Sequence, residues 1–125
     1  MDIEELGNSI IGAAIRIHRA LGPGLLESAY QKCLEYELRK MGSRVDCELV
    51  LPVQYAAVRI DAGYRIDMLI DEMIIIENKT VEHILPIHEA QLLTYLKMKG
   101  CAVGYLFNWN VPVFKDGIKR MVNKL

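Results

Sequence analysis

The chain predicts an α/β fold, a mixed sheet flanked by helices, and three observations carry that prediction. Apolar residues recur at three- and four-residue steps in three long stretches, the repeat of an amphipathic helix. From Val45 to Tyr55 the period changes to two, and Tyr64 to Ile70, Met73 to Lys79 and Ala102 to Phe107 are short apolar runs of strand length. Glycine and proline punctuate the boundaries. With 125 residues, 52% hydrophobic and 25% charged, the chain makes one globular domain over 1–125 with a core of its own.

In order, Ile3, Leu6, Ile10, Ala13, Ala14, Ile17 and Leu21 stripe a first helix that Gly22-Pro23-Gly24 breaks. No Gly-Lys-Ser/Thr follows these glycines, so they read as a turn between helices and not as a phosphate loop. A second helix runs from about Leu25 to Met41, with Glu27 and Tyr30 on one face and Gly42 as its stop. Val45 to Tyr55 is a strand whose Pro52 end must be an edge or a bulge, because proline donates no ladder bond. Ala56 to Gly63 connects, with Ala56 to Ile60 able to extend a hairpin. Two strands follow, Tyr64 to Ile70 and Met73 to Lys79, turning at Asp71-Glu72. After the loop Thr80 to Leu85, Pro86 opens a third helix that Gly100 ends. Ala102 to Phe107 is an internal strand, Asn108 to Pro112 a loop, and Asp116 caps a last short helix carrying Ile118, Met121 and Val122.

The bulk numbers exclude several classes. A net charge of -1 and a pI near 6.3 give no global positive field, so a nucleic-acid site must be local or metal-assisted. Three cysteines, Cys33, Cys47 and Cys101, without CxxC spacing argue against a disulfide framework and a structural zinc site. No apolar run approaches the about 20 residues that span a bilayer, and the acidic N-terminus has no signal segment, so a cytoplasmic location without membrane contact is expected.

The functional candidates lie between Asp67 and Lys79. Asp67, Glu77 and Lys79 abut the runs Met68-Leu69-Ile70 and Ile74-Ile75-Ile76, where charge is costly unless it is paired, binds metal or does chemistry. Residues facing each other across a hairpin share a face, so a three-residue loop, Asp71 to Met73, makes Asp67 and Glu77 cross-strand partners. A two-residue loop would separate them. An odd loop or a bulge is therefore predicted, with Asp67, Glu77 and Lys79 on one odd-numbered face. Two carboxylates beside a lysine suit Mg²⁺ or Mn²⁺ acting on a phosphodiester. Asp67 and Glu77 would be ligands, Lys79 the catalytic cation, and Glu27 a further carboxylate if its helix covers the sheet. The same pattern also occurs as a cross-strand ion pair on an exposed hairpin.

Asp67 followed by Glu77-Asn78-Lys79 resembles the signature of the PD-(D/E)XK nuclease superfamily, with Ile66 where the family's proline often stands. Gln91-Leu-Leu-Thr-Tyr95 is similar to the Gln-x-x-x-Tyr motif of its RecB-like branch. Nearly the whole chain resembles the GxxExxxY group within that superfamily, through the text Ile17 to Tyr30, Gly63 to Asp67, Ile87 to Leu96 and Lys115 to Ile118. Tyr30 stands three residues after Glu27, where the group's label sets four. The resemblance implies a restriction-endonuclease-like core, α-β-β-β-α-β, with an extra N-terminal helix and a short C-terminal helix. It also implies a metal-dependent nuclease fold, and the expected activity is hydrolysis of DNA in preference to RNA.

By that resemblance His18 becomes a metal-ligand candidate beside Asp67, Glu77 and Glu27, and Gln91 a group that orients a carboxylate or contacts phosphate. His88 and Tyr95 share the Gln91 stripe and are expected to support the site from behind the ligands. Trp109 is a loop candidate for base stacking or a plug at the sheet edge. Two functions remain open: a Mg²⁺ or Mn²⁺ nuclease, and a catalytically silent module of the same fold that binds nucleic acid or protein. A homodimer would supply surface that so small a domain lacks.

Overall fold

The computed structural model describes residues 1–61 and 63–124, so Ala62, within the predicted connecting segment, and Leu125 lie outside the described residues. Helix α1 (Ile3–Leu21) starts where the Asp2 side chain accepts from the Glu5 amide at 2.8 Å and stops at Gly22, whose φ of 70° continues no helix. Helix α2 spans Glu27–Lys40. The sheet then begins with β1 (Val45–Val50), and Leu51-Pro52 ends it as proline requires. The predicted single strand to Tyr55 is thus two: β2 (Val53–Tyr55) leaves the sheet and pairs with β3 (Val58–Ile60) as a separate hairpin.

Strands β4 (Arg65–Ile70) and β5 (Ile74–Lys79) form the hairpin predicted from the acid spacing, in the odd register: Ile70 faces Ile74 and Met68 faces Ile76 around Asp71 to Met73. Asp71 and Glu72 hold φ of 49° and 57°, and the Asp71 carboxylate secures the turn by accepting from Ser43 Oγ and the Arg44 amide. Helix α3 (Pro86–Lys99) crosses over to β6 (Val103–Asn108), which runs parallel to β5.

The predicted C-terminal helix is corrected. Phe114–Gly117 is one 3₁₀ turn containing Asp116, and Ile118–Val122 is a strand, β7, antiparallel to β6. Ile118, Met121 and Val122 fit either period over so few residues. What decides is the buried strand β6, whose second row of backbone groups needs a partner that a helix does not provide. The sheet order is β1-β4-β5-β6-β7. On one face α1 and α2 bring Leu6, Ile10, Tyr30 and Leu34 against Met68, Ile76, Phe107 and Trp109. On the other, α3 brings Leu92 and Leu96 against Leu69, Ile75 and Leu106. No helix among the described residues is long and apolar enough to cross a membrane, and the three cysteines are free.

Candidate active site

Beyond Met68 and Ile76 the β4–β5 ladder gives way to side chains. The Asp67 amide donates to Glu77 Oε2 at 2.8 Å, and the Asn78 amide donates to Asp67 Oδ2 at 2.8 Å. Each acid thus bonds the backbone of the opposite strand, which locks both carboxyls at the splayed end of the hairpin.

The odd-numbered face is not continuous here. Cys47 packs with the α1–α2 core while Leu49 packs with the α3 core, and Ile66 and Leu69 share the α3 core although three residues separate them. Alternation slips by one residue on both strands, at Glu48, with φ 53°, and at Asp67 opposite it. Asp67 therefore lines a cleft with Glu27, Gln31 and Glu48 on the α2 side, and its charge also reaches the Tyr95 hydroxyl on the α3 side.

Burial dominates the electrostatics. Glu77 is 3% exposed, and desolvation, then the Asp67 charge, push its carboxyl up to about 8 against the pull of the Asp67 amide and Lys79. Asp67 rises to about 6, again chiefly by desolvation, with the Asn78 amide and Lys79 opposing and Glu48 and Glu27 adding. The two titrate as a pair. The charge of half-buried Lys79 lowers both acids.

The other predicted residues divide. Tyr95, 6% exposed in the α3 core, feels both acids and has its hydroxyl pushed up by desolvation and their charge. Gln91 stands beside it in a groove wall and makes no hydrogen bond to either acid among the described residues. Glu27 is exposed and its Oε2 accepts from the Thr80 amide at 3.1 Å and Thr80 Oγ1 at 3.2 Å, tying the start of α2 to the end of β5. His88 Nδ1 accepts from the Leu85 amide at 3.0 Å, so it caps α3. His18 is not brought to the acids: its ring lies 5.4 Å from Phe114 and 6.5 Å from Trp109, packed on α1. Among the described residues no three His, Cys, Asp or Glu side chains converge at ion-binding distance.

Trp109 is corrected as a base-stacking residue. It is fully buried, stacks on Tyr30 at 4.7 Å and donates Nε1–H to Asn78 Oδ1 at 2.9 Å. Tyr30 itself closes the helix–helix turn, donating to the Gly22 carbonyl and accepting from the Leu25 amide. That contact explains a tyrosine at position 30 without chemistry.

Gln31 and Glu48 were missed. The Gln31 amide donates to Glu48 Oε1 at 2.9 Å and accepts from Asn78 Nδ2 at 3.2 Å, so one side chain spans α2, β1 and β5. A signal existed for each: Gln31 lies one turn after Glu27, and Glu48 sits on the polar face of its strand. What hid Glu48 was the pairing of β1 with β4, which no local pattern encodes.

Fold and site together define a small mixed-sheet α/β domain carrying a locked acid pair, Glu77 buried and Asp67 half-buried, next to a lysine. A family model described as the PD-(D/E)XK nuclease superfamily matches residues 4–121, and the chain belongs to that superfamily. No curated protein and no solved structure matches the chain.

Proposed function

We propose that this chain is a Mg²⁺- or Mn²⁺-dependent nuclease of the GxxExxxY group, acting on DNA in preference to RNA in the reducing cytoplasm. The observation that carries the reading is the acid pair: buried Glu77 and half-buried Asp67, each bonded to the backbone of the other's strand, with the charges of Glu48 and Glu27 raising Asp67 and Lys79 lowering both. Such a cluster is short of positive charge, and hard carboxylate oxygens fit a small divalent cation. PD-(D/E)XK nucleases generally use divalent metals. Asp67 and Glu77 would hold the ion, which when bound lowers the pKa of a coordinated water and neutralises phosphate charge.

The chain's own residues do the rest. The amides of Asp67 and Asn78 aim the two carboxyls and leave their other oxygens for ligation. Lys79 supplies a fixed positive charge beside the attacked phosphate and stabilises the charge that develops there. Glu27 and Gln31 hold α2 against the strand ends, and Gln91 and Tyr95 line the approach from α3.

The test is Mn²⁺-dependent cleavage of single- and double-stranded DNA and RNA by wild type and Asp67→Ala. Equal activity in the two proteins overturns the mechanism. The small size of the chain and its net charge of -1 favour a second reading, a silent nuclease-fold module. Calorimetry showing no Mn²⁺ heat at millimolar metal selects it. Light scattering tests the homodimer.

A further inference from the structure

The β2–β3 hairpin and α3 enclose a groove of about 420 Å³, within the range of small-ligand sites, with Leu51 and Ile60 on one wall and Gln91, Thr94 and Tyr95 on the other. Tyr64 lies along it and is 46% exposed. Building on the nuclease reading, we propose that this groove receives one unpaired nucleobase of a single-stranded substrate, so that unpaired nucleic acid is preferred over duplex.

Continuity with the acid pair selects this occupant. Tyr95 lines the groove and shares the α3 core with Ile66, the residue before Asp67, and the charges of Glu77 and Asp67 reach its hydroxyl. A phosphate held at the pair would present its base on the side where Tyr95 lines the groove. The lining matches a base: apolar walls, an aromatic face for stacking, and the Gln91 amide and Thr94 hydroxyl, each able to donate and accept. Arg65, exposed and next in the chain to Tyr64, forms no ion pair among the described residues and adds positive charge for the backbone. A duplex keeps its bases stacked and paired, and to fill the groove it must first extrude one.

The experiment measures fluorescence anisotropy in EDTA with a labelled 12-nucleotide single strand, the same strand annealed to its complement, and the strand carrying one abasic position at each site in turn. Cleavage of all three in Mn²⁺ is measured in parallel. The single strand should bind at least tenfold more tightly than the duplex, and one abasic position should cancel much of that advantage. Tyr64→Ala should weaken single-strand binding by roughly 5- to 100-fold, the range of one lost stacking contact, while Tyr64→Phe restores it and duplex binding stays unchanged. Thermal melts of both variants establish that they fold. Duplex binding equal to single-strand binding overturns the inference, as does an unchanged Tyr64→Ala. Conversion of a dimer to a monomer by Ile87→Ser with oligonucleotide binding intact also overturns it, because the groove is then an interface between copies. If Mn²⁺ cleavage persists under any of these results, the nuclease reading stands and only the groove assignment fails; absence of both binding and cleavage removes both.

Discussion

Replacing Glu77 with glutamine isolates the electrostatic cost built into the site. Glutamine keeps the shape and the oxygen that accepts from the Asp67 amide at 2.8 Å, but it cannot ionise. In the native state the Glu77 carboxyl titrates near 8, against 4.5 for the free side chain. A raised pKa means the folded state holds the proton more tightly, so between about pH 4.5 and 8 the unfolded chain binds fewer protons and stability falls as pH rises. Above pH 8 the wild type carries a destabilisation on the order of 5 kcal/mol from this group, at about 1.4 kcal/mol for each pH unit of the gap. Below pH 4.5 it carries none. Glu77→Gln should therefore match wild type near pH 4 and gain roughly 15–20 °C in melting temperature near pH 9 in EDTA. Differential scanning calorimetry across pH 4 to 9 reads this directly. A constant offset between the two proteins at every pH, or a gain that shrinks as pH rises, would refute the account of a desolvated carboxyl.

Other outcomes follow from the same geometry. Saturating Mn²⁺ at pH 8 should narrow that gap by stabilising wild type by about 2–4 kcal/mol and leaving Asp67→Asn unmoved, and its affinity should fall as pH drops below about 8 and more steeply below 6, both read by thermal shift and calorimetry. Deleting Glu72 makes the hairpin loop even and sends Glu77 to the face opposite Asp67, so Mn²⁺ binding should vanish in any folded product. Trp109→Ala removes the stack on Tyr30 and the bond to Asn78 and should cost about 3–5 kcal/mol in urea denaturation, with Trp109→Phe costing less. Lys79→Met should push the titration of the acid pair still higher by removing the one cation that lowers both, which carboxyl NMR detects.

Much of the site was legible because it depends on short-range geometry. Asp67, Glu77 and Lys79 stood out as charges against apolar runs, and their spacing required an odd loop, which the register of β4 and β5 contains. The helix start at Glu27 and its reach toward the sheet were within one or two residues of expectation. Legibility failed where a residue's role is set by a partner far along the chain. His88 and Gln91 share a helix face, yet the first is spent on the Leu85 amide. Trp109 sits in a loop by sequence and in the core by packing, because Tyr30, almost eighty positions earlier, offers a parallel ring.

From the amino-acid order alone came the periods of the elements, the odd hairpin register and the acid pair with its lysine, since each follows from local backbone geometry and hydrophobic patterning. Only the tertiary structure decided that Ile118–Val122 is a strand, that alternation slips at Glu48 and Asp67, and that His18 faces aromatics and not the acids. The reason is common to all three. A buried strand demands a second hydrogen-bonding neighbour, a bulge needs a paired strand to slip against, and a helix face acquires meaning only from what packs on it.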